Sequence, residues 1–266
     1  MDRSILNKYK KPEDKLLLSK IFDKSNFCET RNKLQVTDFL DLAEQNLTQK
    51  FLNELNYKNY IFFGGYENAE RKLIIFYPEK LQDIVEENKL NFDEYIKVLK
   101  LTLPAENRGK YEHRIYLGAL IKLGIKREKI GDILVDENGC DFLLHEDILK
   151  FVETNILQLT RFRKSELEQV KLKDIRNIEV KTVQEIITVS SIRLDNIIAE
   201  LAKCSRGKAQ EIIQQERVFI NYELNTKQTK EIKENDRITI RGKGRYQIKQ
   251  IIGNTKKGKI KIIIEK

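Results

Sequence analysis

Tryptophan is absent from the 266 residues, methionine occurs once, histidine twice, and cysteine and proline three times each. The three thiols, Cys28, Cys140 and Cys204, are scattered, odd in number and without a C-x-x-C pair, which argues against a disulfide framework. With His113 and His145 the only imidazoles, the donors of a zinc site are lacking too. No metal and no cofactor are therefore expected. No apolar run approaches the ~20 residues that a membrane-spanning helix needs. The longest, at residues 73–77 and 262–264, have strand length. The start, MDRSILNKYKKPEDK, has no signal-peptide apolar core, so a cytoplasmic chain without membrane insertion is expected. Gly64-Gly65 matches neither Walker A nor G-x-G-x-x-G spacing. A Gly/Ser/Pro-rich linker, a low-complexity segment and an internal repeat are also lacking, and a monomer is expected.

What the chain does have is charge. Lys and Arg number 50 against 41 Asp and Glu, a net +9 with a mean hydropathy of −0.52. Residues 191–266 hold 18 of the bases and 9 of the acids, so the whole excess sits there and residues 1–190 are neutral. A charge excess confined to one domain is the electrostatic footprint expected for nucleic acid.

The periodicity divides the chain into three regions of an α+β, multidomain protein. Residues 1–80 read as a helix-rich region with a strand pair. Pro12 suits a first helical position, with Glu13 and Asp14 in the first turn and Leu17, Ile21 and Phe22 on one face. A second helix is expected from near Thr37, with Phe39, Leu40, Ala43, Leu47, Phe51 and Leu55 as its stripe. The runs at 60–63 and 73–77 flank a polar loop, as a wide hairpin or a strand-loop-strand.

Residues 81–189 read as β-α-β-β-α-β, the ferredoxin-like pattern. The strands are expected at 95–102, 133–135, 142–144 and 167–172. The helices are expected at 111–123, with Ile115, Ala119 and Leu123 inward, and at 146–157. RNA-recognition-motif domains share this order and stack bases on aromatics of the central strands. The third strand here, CDFLLHE, does not match the aromatic-rich signature. An RRM-like fold without that stacking platform is predicted, with Phe142 in the core. Two short β-like runs follow between Ile178 and Val189.

Residues 190–266 carry the most specific pattern. Leu194, Ile197, Ile198 and Leu201 make one helical face; Ser205 stands at an N-cap; Ala209, Ile212 and Ile213 make a second face; 218–220 reads as a strand. Arg193, Lys203, Arg206, Lys208 and Arg217 punctuate these elements. Lys or Arg in a helix's first turn opposes the dipole, a cost consistent with presenting cations and amide ends to a phosphate. A solvated basic face is the ordinary alternative. A turn at 233–236 and a strand at 237–240 lead into RGKGRY, where Arg241, Lys243 and Arg245 alternate with glycines. Glycine allows close backbone approach, and arginine engages phosphate bidentately. Strands at 247–252 and 259–264 close the chain as a hairpin.

Arg193-Leu194-Asp195, Ser205-Arg206, Ala209, Val218, Ile220 and Asn221 together resemble the S4 domain, an RNA-binding αL-motif fold. The glycine usual after that Asn is Tyr222 here, so the hairpin turn must be made differently. FFGGYENAERK and LGALIKLGIKREKIGDILV add a resemblance to YlmH-type proteins, which couple an RRM-like region to a C-terminal S4 domain. Where that family pattern places an acid after His113-Arg114, this chain has Ile115.

The resemblance implies a non-enzymatic RNA-binding protein acting on the ribosome. Its implied partners are rRNA and tRNA on the large subunit, in rescue of stalled translation (ribosome-associated quality control) beside the alanine-tailing factor RqcH. The expected RNA-binding set is Arg193, Lys203, Ser205, Arg206, Lys208, Arg217, Asn221, Arg241, Lys243 and Arg245, with no catalytic residue. Two alternatives stand beside it. Pseudouridine synthases hold a catalytic Asp in G-R-L-D; the I-R-L-D at 192–195 lies in the S4 helix, where Asp195 would cap the helix or orient Arg193. A methyltransferase would need a glycine-rich loop after a strand, for which Gly64-Gly65 is a poor candidate. The signatures of tyrosyl-tRNA synthetase are missing. Because genes of YlmH-type proteins are associated with cell-division clusters, the neutral first 190 residues could instead serve a protein partner in division.

Overall fold

Leu73-Ile74-Ile75-Phe76 is apolar at every position, and in the structure, a computed structural model, this strand is buried on both faces. A continuous apolar run is what two-sided burial requires. The structure describes residues 3–87, 89–176, 183–254 and 258–266. The chain forms two units, Met1–Ile178 and Glu179–Lys266.

The first unit opens with a short 3-10 turn, Arg3–Lys8, and helix α1, Pro12–Arg31, which has Pro at its start and Glu13 and Asp14 in its first turn. The strand β1, Gln35–Val36, and helix α2, Leu42–Glu54, follow. The expected start of α2 near Thr37 is corrected. Asp41 caps it, its side chain accepting from the amides of Ala43 and Glu44 (2.9 Å each), while Glu44 accepts from the Asp41 amide. This capping box stops the helix at its own start. Phe39 and Leu40 are buried from extended backbone, and Ala43 is exposed.

Strands β2, Tyr60–Phe63, and β3, Leu73–Phe76, form an antiparallel hairpin, with β1 on the far side of β3. Past the short helix α3, Gln82–Glu86, come β4, Ile96–Thr102; α4, His113–Lys122; β5, Ile130–Asp136; β6, Gly139–His145; α5, Leu149–Asn155; and β7, Glu166–Val170. All three pairings in this sheet are antiparallel, and its order is β5-β6-β4-β7. That is the split βαβ arrangement expected from the element order.

Strand alternation sorts the side chains into layers. On one face of the four-stranded sheet, Leu99, Leu101, Cys140, Phe142 and Leu144 pack with Tyr116, Leu120, Val152 and Ile156 of the helices. Phe142 is fully buried there. The inward residues of α4 are Tyr116, Ala119 and Leu120, with Ile115 only half-buried, so its face is turned by about one residue from the expectation. On the opposite face, Ile96, Val98, Leu134 and Leu143 pack against Phe39, Leu73 and Ile75. Ile74 and Phe76 point the other way, into α1 and α2, beside Leu18, Ile21, Phe51 and Leu52. The layers therefore run helices, three-stranded sheet, four-stranded sheet, helices. The sheet face on which RNA-recognition-motif domains stack bases is closed by the N-terminal hairpin.

The second unit is a six-stranded antiparallel sheet with two helices on one face. Its elements are β8, Gln184–Val189; α6, Leu194–Leu201; α7, Arg206–Gln214; β9, Val218–Ile220; β10, Glu223–Leu224; β11, Arg237–Ile240; β12, Gly244–Asn254; and β13, Ile260–Glu265. Strand β8 pairs with β13, from Gln184↔Glu265 to Val189↔Ile260, so this unit's sheet includes the strand ahead of residue 190. The first of the two β-like runs read after Ile178, and the tip of the closing hairpin at 255–257, lie outside the described residues. Among the described residues no helix is long and apolar enough to cross a membrane.

Candidate nucleic-acid interface

Helices α6 and α7 meet over a carboxylate. Asp195, in the first turn of α6, is fully buried. Two guanidinium groups converge on it: Arg193, the residue before α6, from Nε and an amino nitrogen (3.2 and 3.1 Å), and Arg206, the first residue of α7 (2.9 and 2.7 Å). Gln210 Nε2 (3.3 Å) and the Asn196 amide (3.1 Å) also donate to it. Burial pushes the carboxyl pKa up. The hydrogen bonds from Arg193, Arg206 and Gln210 and the charge of Arg206 outweigh that and hold it at about 2. The arginines remain 37% and 51% exposed, so a buried anion fixes two cations whose outer edges face solvent.

Ser205 caps α7, its hydroxyl accepting from the Lys208 amide at 3.3 Å. Lys208 Nζ lies 2.6 Å from Glu211 on the exposed face of the helix. Lys203 takes a left-handed conformation (φ 50°) just past α6.

A second group of cations gathers at the hairpin between β11 and β12. The Arg217 guanidinium donates to the Arg241 carbonyl at 2.7 Å, and the Arg241 amide donates to the Arg217 carbonyl at 2.9 Å. The Arg241 guanidinium sits 4.7 Å over the Phe219 ring. Gly242 is needed in this turn: φ is +79°, and a Cβ would stand 3.2 Å from the Arg217 guanidinium. Tyr246 is buried, and the single proton of its hydroxyl is shared between the carbonyls of Lys243 (3.1 Å) and Leu201 (3.4 Å), tying the hairpin tip to the end of α6. The tip is therefore anchored at Leu201, two residues before Lys203. The side chains of Lys203 and Lys243 are exposed and hold no partner among the described residues. Arg245 is exposed in the adjoining strand.

Asn221, exposed at the end of β9, is held by hydrogen bonds within the fold. Its Nδ2 donates to Asp236 at 2.7 Å and its Oδ1 accepts from the Arg237 amide at 2.9 Å. It builds the β9–β10 turn, in which Asn221 and Tyr222 both have positive φ (49° and 70°). Tyr222 replaces the usual glycine because Arg237 holds it: the guanidinium donates to the Tyr222 hydroxyl and lies 5.6 Å over the ring. Gln210 and Phe219 were not among the expected residues. Gln210 follows Arg206 by four positions, the spacing that puts two helical residues on one face, and this was the available signal.

The polar loop at 64–72 of the first unit is taken up by structure. Asp132 accepts from the Tyr66 hydroxyl (2.8 Å) and the amides of Glu70 (2.7 Å) and Arg71 (3.1 Å). The Arg71 guanidinium donates to the carbonyls of Ile130, Phe39 and Arg127. Among the described residues no group of three or more His, Cys, Asp and Glu is placed to hold a metal ion.

Two protein families match the chain: "Putative RNA-binding domain in YlmH" over residues 91–183 and "S4 domain" over residues 192–238. A curated relative, Ribosome-associated protein quality control protein P2 of Bacillus subtilis (strain 168), is 29% identical over 254 residues, 96% of this chain and 95% of the relative. A solved structure, cell division protein ylmH from Streptococcus pneumoniae, is similar at 19% identity and a TM-score of 0.49, covering 63% of this chain and 98% of that one.

Proposed function

The chain belongs to the YlmH-type RNA-binding proteins with a C-terminal S4 domain, and on that premise we propose that it binds large-subunit rRNA and tRNA in rescue of stalled translation, without catalysing a reaction. A ribosome-related RNA-binding role follows from the two domains and from the relative named for ribosome-associated quality control. The observation that carries the proposal is the buried Asp195 carboxylate, which holds Arg193 and Arg206 half-exposed at the start of α6 and α7.

Lys203, Lys208, Arg217, Arg241, Lys243 and Arg245 extend the cationic surface. Ser205 serves it by fixing the start of α7, and Asn221 by shaping the turn after β9. Phosphate contacts position a protein without reading sequence, so specificity would come from RNA shape. The mechanism is positional. The S4 domain grips rRNA and tRNA backbones and keeps the tRNA in place while an alanine-tailing factor of the RqcH type extends the stalled chain. Such a protein works in the cytoplasm as a monomer.

The test is UV crosslinking in cells with sequencing of the bound RNA, for wild type and for Lys203→Glu/Lys243→Glu, whose side chains lie outside the Asp195 network. Reads concentrated on large-subunit rRNA and tRNA, and lost in the variant, are expected. Concentration on another RNA class would reject the rescue pathway. Absence of enrichment would overturn RNA binding and favour a protein partner in cell division.

A further inference from the structure

The centre of the four-stranded sheet of the first unit is covered on both sides, by Phe39, Leu73 and Ile75 on one and by α4 and α5 on the other. If the domain at 91–183 binds RNA, it must use another surface. Its outer side offers one. A groove of about 630 Å³ runs between α4 and the turn at 156–162. Arg114, Lys122 and Arg161 line it, with no acid among the described residues of its lining. The first 190 residues are neutral as a whole, so a lining of three cations without an acid reflects segregation of charge.

The groove has the parts a nucleic-acid backbone requires. Arg161 lies 5.6 Å over the Tyr111 ring, which holds the guanidinium at the rim. Among the described residues Arg114 pairs with Glu112 alone, at 3.2 Å, and the two side chains are 82% and 75% exposed. An exposed pair of this kind is worth little and yields readily to a phosphate. Lys122, and Arg163 just beyond the groove, hold no partner among the described residues. Gly118, exposed in the middle of α4, also lines the groove, with nothing within 4 Å of where a Cβ would stand. Bare helix backbone there admits a sugar-phosphate chain closely. Gln158 and Thr160 supply neutral hydrogen-bonding groups along the same wall.

We propose that the middle domain binds RNA backbone in this groove, with Arg114, Lys122 and Arg161 contacting phosphates, and not on its sheet. This rests on the RNA-binding reading above and adds a second point of attachment, in a different unit from the S4 domain. The two attachments act on one RNA through different phosphates, so each contributes its own share of the salt dependence.

The experiment measures binding of the full-length protein to deproteinised large-subunit rRNA across a salt series. It compares wild type, the groove variant Arg114→Gln/Lys122→Gln/Arg161→Gln, and the S4 variant Lys203→Gln/Lys243→Gln. The groove variant is expected to lose roughly a hundredfold in affinity at 100 mM salt, with a log–log salt slope shallower by about 2 to 3. Unchanged far-UV dichroism and melting would show that it folds, and Arg161→Lys alone, which keeps the charge, is expected to bind as wild type. A groove variant with wild-type affinity and slope, beside a weakened S4 variant, would overturn the groove and leave the proposed function standing. Absence of wild-type binding would overturn the proposed function itself. A groove variant that binds naked rRNA normally but no longer binds intact large subunits would assign the groove to an acidic protein surface and overturn its assignment to RNA.

Discussion

Arg206 donates from Nε and from an amino nitrogen to a single carboxylate oxygen of Asp195, at 2.9 and 2.7 Å, across eleven positions of sequence. The pair fastens the start of α7 to the start of α6 and aims a half-exposed cation outward. The packing of the two helices and the outward presentation of this cation are thus linked through one buried oxygen.

The carboxyl pKa of Asp195 is depressed to about 2 in the folded chain. Its contribution is therefore fully present above its unfolded value near 4 and is lost as pH falls through about 2. Asp195→Asn is expected to cost about 2 kcal/mol at pH 7 and almost nothing near pH 2. Urea unfolding followed by far-UV dichroism at both pH values checks this. An equal loss at both would mean that the carboxylate charge is not what matters.

The turn after β9 places a tyrosine at φ 70°, a conformation that costs a non-glycine residue roughly 1–2 kcal/mol. Arg237 offsets that cost through the Tyr222 hydroxyl and ring. Tyr222→Ala keeps the strain and loses the contact, so it is expected to destabilise by about 1 kcal/mol. Tyr222→Gly removes both and should exceed the alanine variant by about 1 kcal/mol. The same urea series measures the difference, and equal stability of the two variants would refute the strain account.

Asp132 accepts from three donors of the 64–72 loop, the Tyr66 hydroxyl and the amides of Glu70 and Arg71. Asp132→Ala is expected to cost about 2 kcal/mol through the donors left unpaired and to speed proteolytic cleavage within 64–72. Mass mapping of a limited digest reads both the site and the rate. Protection equal to wild type would show that the loop is held by the Arg71 contacts alone.

If about six phosphates are engaged, affinity for large-subunit rRNA should fall by roughly three decades between 50 and 200 mM salt. A titration over that range decides it. An affinity nearly independent of salt would refute the electrostatic account.

The two helices of the S4 motif were legible because their signals are local: apolar residues at helical spacing and a serine at the cap. The start of α2 was less legible, since Phe39 and Leu40 continue an apolar spacing that the Asp41 capping box interrupts. Core aromatics such as Tyr116 are not recognisable from type alone, because tyrosine is as much at home on a surface. The partners of Asn221 are not legible in the sequence either, since only the fold brings Asp236 and the Arg237 amide to it.

The sequence by itself determined the α+β class, the βαββαβ order, the S4 helices and the confinement of net charge to residues 191–266. Each is a matter of spacing or composition along the chain. The tertiary structure alone decided that β3 closes the open face of the middle sheet and that Asp195 joins Arg193 to Arg206. It also decided that Arg217 and Arg241 share a turn and that Arg114, Lys122 and Arg161 line one groove. These depend on which distant segments pack together, and burial energy, being non-directional, does not name its partner in the sequence.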